Sequence, residues 1–244
     1  MNSAAAGRLA ALLADLAAGV FPAADGTVTV LPQPSPRDAG VLALTAHTVI
    51  FADVDPAWVR QRLPADDLSA PLNPPFLAEL SRLTGRRVNN IDMLCFAPAL
   101  PGQGPPGAGL PRQALPGPGL PAPALPGLAL LGPTRAKLAP VPARDHPRAA
   151  RARRYRDGVR AWETDGGLVI LGRGVAGRWE IAVEVAPGRR GQGLGRELAL
   201  AGRHLVPAGE PLWAQIAPGN SASVRAFLAA GYVPVGAEAL LVRA

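Results

Sequence analysis

At 244 residues, 48% of them hydrophobic, the chain can bury the core of one large domain or two small ones, but with only 5% aromatic residues that core must be built from alanine, leucine and valine. The single cysteine, Cys95, excludes an internal disulfide and any cysteine-based metal cluster, and three scattered histidines (His47, His146, His204) form no ligand spacing, so no metal site is expected. The net charge of +7 is uneven: residues 1–97 carry 7 basic and 9 acidic side chains, residues 98–244 carry 18 and 9, and all the basic residues but Lys137 are arginine. The second half is therefore the half suited to an anionic ligand, either a polyanion or a phosphorylated small molecule.

Arg8 followed by an apolar run has the outline of a secretion signal, yet Asp15 interrupts the run and Leu9, Leu12, Leu13 and Leu16 fall on one helical face. That pattern predicts an amphipathic helix packed on the domain. No apolar run reaches the ~18 residues of a membrane span, and the chain is expected to be soluble and cytoplasmic. Strands are expected at Thr27–Leu31, Gly40–Leu44 and His47–Ala52, the last two as a hairpin or as successive strands around Thr45-Ala46. Asp55-Pro56-Ala57 opens a helix with a capping side chain followed by proline at the first position. Pro74-Pro75 starts a second helix, which Gly85 ends, and Val88–Phe96 is apolar enough for another strand. Residues 1–97 thus read as an α/β unit without recognisable chemistry, in which Asp53, Asp55, Asp66 and Asp67 serve as caps and loop residues.

Residues 98–142 hold 13 prolines and 8 glycines in 45 positions, with A-L-P-G repeated at Ala99, Ala114 and Ala124. Such a composition predicts a flexible linker over 98–143. Arg144 to Arg160 then carries seven arginines and two aspartates. A solvated helix face leading into the next strand is the ordinary reading, and a polyanion-binding patch is the other.

From there the expected order is strand (Gly158–Glu163), turn at Asp165-Gly166-Gly167, strand (Leu168–Gly172), turn, and strand (Trp179–Val185), an antiparallel meander. In the third strand Ile181, Val183 and Val185 point one way and Glu180, Ala182 and Glu184 the other. Ala186-Pro187-Gly188 stops it, and the loop Arg189 to Gly195 leads into a helix whose apolar face is Leu194, Leu198, Ala201 and Leu205. A strand, a glycine-rich loop and a helix start in that order make a site for phosphate or pyrophosphate, because the first helical turn presents unpaired N–H groups at the positive end of the dipole. The glycines fall as G-x-G-x-G with no lysine near, which fits neither a dinucleotide fingerprint nor a Walker loop. A strand (Pro211–Ile216), a helix (Ser221–Ala230) ended by Gly231, and strands Tyr232–Val235 and Ala239–Val242 complete the chain.

Arg190-Gly191-Gln192-Gly193-Leu194-Gly195 resembles the acyl-CoA signature Q/R-x-x-G-x-G/A of the GNAT superfamily of N-acetyltransferases. Asn220 to Tyr232 is similar to the family's N-x-x-S/A…G-F/Y helix, at the matching separation, and the resemblance covers about residues 150–244. It implies a GNAT-like α+β domain over 144–244, with a mixed, mainly antiparallel sheet flanked by helices. It also implies an acetyl-CoA-dependent transfer of an acetyl group to a primary amine, on a small molecule or a protein or peptide. Cofactor contacts would come from the backbone of Val183 and Val185, from Arg190, Gly191, Gln192, Gly193, Leu194, Gly195 and Arg196, and from Asn220. The base would be Glu180 or Glu184, with Glu180 preferred because the family's base sits several residues before the strand end. The resemblance admits a homodimer and gives no reason to expect a membrane or nucleic acid as partner.

Two features depart from the family. Its first strand and first two helices have no obvious counterpart ahead of Arg151, so either Ala149–Arg156 is what remains of them or the N-terminal unit, read as a degenerate second copy, supplies that layer. Where many relatives carry a proton-donating tyrosine, this chain has Phe227. That substitution supports the alternative of a non-catalytic acyl-CoA-binding regulatory module.

Overall fold

The computed structural model describes residues 3–64, 67–101, 137–143 and 146–243. Its strands, in chain order, are β1 (Val28–Leu31), β2 (Gly40–Leu44), β3 (His47–Phe51), β4 (Arg86–Pro98) and β5 (Ala139–Val141), then β6 (Asp157–Thr164), β7 (Gly167–Arg173), β8 (Trp179–Val185), β9 (Pro211–Ile216) and β10 (Val233–Arg243). The helices are α1 (Ser3–Ala17), α2 (Pro56–Arg60), α3 (Pro74–Thr84), α4 (Pro147–Ala152), α5 (Leu194–Gly202) and α6 (Ser221–Ala229). The chain is α+β, and the expected order of three strands, helix, strand, helix, strand runs from β6 to β10.

These strands form one sheet in the order β1-β3-β2-β10-β4-β9-β8-β7-β6-β5. Only β1 with β3 and β8 with β9 are parallel; every other neighbouring pair is antiparallel. The sheet crosses the proline-rich segment. Strand β4, from the first hundred residues, lies between β9 and β10 and pairs with both, and β10 pairs in turn with β2. The two closing strands read separately in the sequence are one strand, β10, whose register shifts between Pro234 and Gly236 and again between Leu240 and Leu241.

Alternation along the strands splits the core between two faces. Strand β9 shows it: Leu212, Ala214 and Ile216 pack with Leu198 and Phe227 of α5 and α6, while Trp213 packs with Leu9, Leu13 and Leu16 of α1. Helices α2 and α3 cover Val41, Ile50 and Leu241, and α4 covers Ile170 and Ala182. The local signals act as read. The Asp55 side chain accepts the Ala57 N–H at 2.8 Å to cap α2, and Gly85 ends α3 in the left-handed region at φ 64°.

Two parts of the stretch read as linker belong to the fold. Ala99 and Leu100 donate backbone N–H bonds to Glu210 and Arg203, and Ala139–Val141 is the edge strand β5, paired with β6. An edge position leaves the missing N–H of Pro140 without cost, which composition alone could not reveal. Ala114, Ala124, Asp66 and Arg144 lie outside the described residues. A short strand and a single short helix, β5 and α4, stand where the resemblance asked for a first strand and two helices. The N-terminal strands lie on the opposite side of β8, beyond β9.

Candidate functional site

The sheet opens between β8 and β9. These parallel strands pair only at Trp179 with Leu212 and at Glu180 with Trp213, so from Ile181 to Val185 one edge of β8 has no strand partner among the described residues. Its other edge is zipped to β7 without a bulge from Trp179 to Val185. A cavity of about 430 Å³ fills the opening, with Val183, Gln215, Asn220 and Phe227 in its lining. An exposed backbone edge beside a cavity can take an extended ligand as an additional strand.

The loop after β8 is built for close backbone approach. Gly191 and Gly193 adopt left-handed φ of 73° and 82°, and Gly193 caps α5. No heavy atom lies within 4 Å of a Cβ built on either one. The N–H groups of Leu194 and Gly195 open the helix and have no intrahelical acceptor. Two loop side chains fold back onto carbonyls: Arg190 Nε donates to Val185 O at 3.3 Å, and Gln192 Nε2 to Gly188 O at 3.0 Å. Arg196 Nε donates to Ala229 O at 3.1 Å, joining α5 to the end of α6. Asn220 caps α6, its Oδ1 accepting from Ser223 N at 3.1 Å. Of the expected cofactor residues, Val183 and Asn220 line the cavity; Val185 and Arg190 to Arg196 lie outside its lining, at the strand end and the start of α5.

The two glutamates have separate fates. Glu184 is exposed near the end of β8, 3.7 Å from Arg148, and is not part of the cavity lining. Glu180 lines the cavity but is buried, with both oxygens committed. Its Oε2 accepts from Arg156 Nε at 2.8 Å, and its Oε1 from Arg178 Nε at 2.8 Å and from Val175 N at 3.3 Å. Burial alone would raise its pKa; Arg178 and Arg156 outweigh that and hold the carboxyl below the usual range. A carboxylate so held is a poor proton acceptor, which argues for an ion-pair anchor and against the preferred reading of Glu180 as the base. Gly174 makes this possible, because a Cβ there would collide with the Glu180 carboxylate.

The anchor continues inward. Arg178, 3% exposed, donates a fork of two bonds to Glu238 at 3.0 and 2.6 Å, and Gln215 Nε2 bonds the same carboxylate. Burial opposes the charge on Arg178, but Glu238 and Glu180 raise its pKa. Arg156–Glu180–Arg178–Glu238–Gln215 is thus a continuous polar chain from the segment after α4 to β9, by way of β8 and β10. Sequence reading missed Arg156, Arg178, Gln215 and Glu238 in this role. The weak signal was two glutamates, Glu180 and Glu238, within mainly apolar strands.

The arginine run is not one solvated face. Arg156 turns inward to Glu180, Asp157 receives two bonds from Arg37 at 3.0 and 3.2 Å, and Arg148 stands near Glu184. Arg151, Arg153, Arg154 and Arg160 remain exposed. Phe227 is buried, packed edge-on against Tyr232 with ring centroids 4.8 Å apart, and Tyr232 donates its hydroxyl to Ala199 O at 3.2 Å. Cys95 is fully buried, and burial pushes its thiol up to about 12. Among the described residues no group of His, Cys, Asp and Glu could hold a metal ion, and no helix is long and apolar enough to cross a membrane.

No protein-family model and no curated protein matches the chain. Among solved structures it is similar to a GCN5-related N-acetyltransferase from Kribbella flavida, with 19% identity and a TM-score of 0.37, over 69% of this chain and 63% of that one. The chain thus spans less than two thirds of the structure it matches.

Proposed function

We propose that the chain is an acetyl-CoA-dependent N-acetyltransferase that passes an acetyl group directly to a primary amine. The observation that carries this reading is the parting of β8 and β9 over a cavity, next to a left-handed glycine turn onto α5. In this reading the pyrophosphate of the donor takes the free N–H groups at the start of α5, helped by Arg190 and Arg196. The extended arm pairs with the open edge of β8 along Ile181 to Val185, and sharing the Val185 carbonyl requires the Arg190 side chain to swing away. The thioester then points toward the cavity. The state of Cys95, the only thiol, supports direct transfer: fully buried and held protonated, it is a poor acyl carrier.

A second reading, a regulatory module that binds acyl-CoA without turning it over, is favoured by Phe227, whose ring has no proton for a departing thiolate. Calorimetry with acetyl-CoA and thiol release against a panel of primary amines separate the two. The enzyme reading predicts binding with release for at least one amine. Binding with no release for any amine favours the module, and no binding overturns both.

A further inference from the structure

Three carboxylates line the cavity among the described residues: Asp38, Asp92 and Glu180. Asp38 is paired with Arg37 at 3.0 Å and takes the Ser35 hydroxyl at 2.8 Å. Glu180 is locked between Arg156 and Arg178. Asp92 is different. It has no arginine partner among the described residues, its Oδ1 accepts from Asn90 Nδ2 at 2.6 Å, and its Oδ2 has no hydrogen bond there. Its neighbour Met93 pairs with Ile216 at the end of β9, where β8 has already turned away.

We infer that Asp92, contributed by strand β4 of the N-terminal half, is the group that takes the proton from the acceptor amine. The inference rests on the acyltransferase reading above. An acceptor entering as an ammonium ion gives one proton to Asp92 Oδ2, and the freed nitrogen lone pair attacks the thioester carbonyl carbon. The C–N bond forms, the C–S bond breaks, and the second nitrogen proton leaves with the thiolate as free thiol; Asp92 then returns its proton to solvent. No oxidant or further reactant is needed.

The surroundings suit that role. Burial, and then the Glu238 carboxylate opposite Asp92 on β10, outweigh the Asn90 hydrogen bond and push Asp92 up to about 6. A base works best when its pKa lies near the working pH. The other charged groups on the cavity wall are Glu180 on β8 and the Arg37–Asp38 pair ahead of β2. Arg148, Arg151 and Arg156 face it from α4 and the segment after it, with Tyr155 as the neutral titratable group. Asp92 is half-buried, so it can exchange its proton with water between turnovers.

The test compares the full-length wild type with Asp92→Asn, using acetyl-CoA and the best amine of the panel from pH 5 to 9. The expected result is a fall in kcat of roughly 10²–10⁴-fold with acetyl-CoA affinity unchanged by calorimetry. The wild-type kcat/KM should rise with pH on a one-proton limb near 6, and the variant should lack that limb. Wild-type turnover without the limb overturns the assignment whether or not the variant folds. A folded variant with wild-type rate and an intact limb overturns it too, and leaves the acyltransferase reading standing. If the wild type binds acetyl-CoA but releases no thiol with any amine, that reading fails and the role of Asp92 fails with it.

Discussion

The two walls of the opening between β8 and β9 are built on opposite plans. The loop wall, from Ile181 through Gly195, is one unbroken stretch in which strand, glycine turn and helix start succeed one another, and its geometry comes from backbone conformation. The charged wall is assembled from Asp92, Arg156, Arg178, Glu180, Gln215 and Glu238, on four strands and two connecting segments, and all of these but Asp92 are tied together by side-chain ion pairs and hydrogen bonds. A local device tolerates change elsewhere in the molecule. A distributed one binds distant parts of the chain into a single folding unit, so damage to it should appear first as lost stability.

The largest expected effect is therefore in the charged wall. Glu180→Gln leaves Arg156 and Arg178 buried with a partner that has lost its charge. Breaking a buried pair in this way costs roughly 3–5 kcal/mol, a fall in Tm of roughly 6–20 °C for a chain of this size. Calorimetric unfolding checks it, and an unchanged Tm would mean that the network contributes nothing net. The pH dependence has a definite sign. The folded pKa of Glu180 lies below its ordinary value of 4.5, so its stabilisation is complete above that pH and is lost as pH falls through the folded value. Wild type should lose stability in that acid window, and the glutamine variant, already without the charge, should lose less. Gly174→Ala should act on the same wall, because its new Cβ meets the Glu180 carboxylate; forced overpacking of this kind costs about 1–3 kcal/mol.

The loop wall should behave in the reverse way, losing ligand and keeping fold. Gly193→Asp puts a carboxylate at the start of α5, where the proposed pyrophosphate lies. Like-charge juxtaposition costs several kcal/mol, so acetyl-CoA affinity should fall by roughly 100-fold or more. The strain of a side chain at φ 82° must be separated from the charge. Gly193→Asn carries the same strain, since asparagine also tolerates the left-handed region, but no charge. Calorimetry should then show weak binding for the aspartate variant and near wild-type binding for the asparagine one. Equal losses in both would mean that the turn, not the anion, governs this loop.

The same contrast explains what was legible in the sequence. Local determinants were read correctly at several points: Asp55 at a cap, Gly85 at a helix end, the period-two run of β8 and the full bounds of β9. Three kinds of feature were not legible. The insertion of β4 between β9 and β10 depends on pairing across more than a hundred residues, and nothing in Val88–Phe96 names its neighbours. Strand β5 was hidden by the composition around it. Glu180 and Glu184 share one face of a regular strand, yet one is locked by two arginines and the other is exposed, a difference set by Arg156 and Arg178. Alternation says which way a side chain points. It does not say what meets it there.

The smallest expected effect also concerns the charged wall, and it opposes the first. The fold resists the ionisation of Asp92. Its pKa is pushed from an ordinary 3.8 to about 6, so its protonated form is favoured by folding, and that contribution is lost as pH rises through 6. Asp92→Asn should therefore leave stability unchanged near pH 4 and raise Tm relative to wild type at pH 8, where the wild-type carboxylate is charged beside Glu238. The gain will be modest because Asp92 is half-buried and water screens its charge. Glu180→Gln and Asp92→Asn both replace a carboxylate by an amide on the same wall, and they should move Tm at pH 8 in opposite directions. Unfolding curves at pH 4 and pH 8 for both variants settle it. If Asp92→Asn also lowers Tm at pH 8, Asp92 belongs to the stabilising network with Glu180, and the division of that wall into anchored and poised carboxylates is lost.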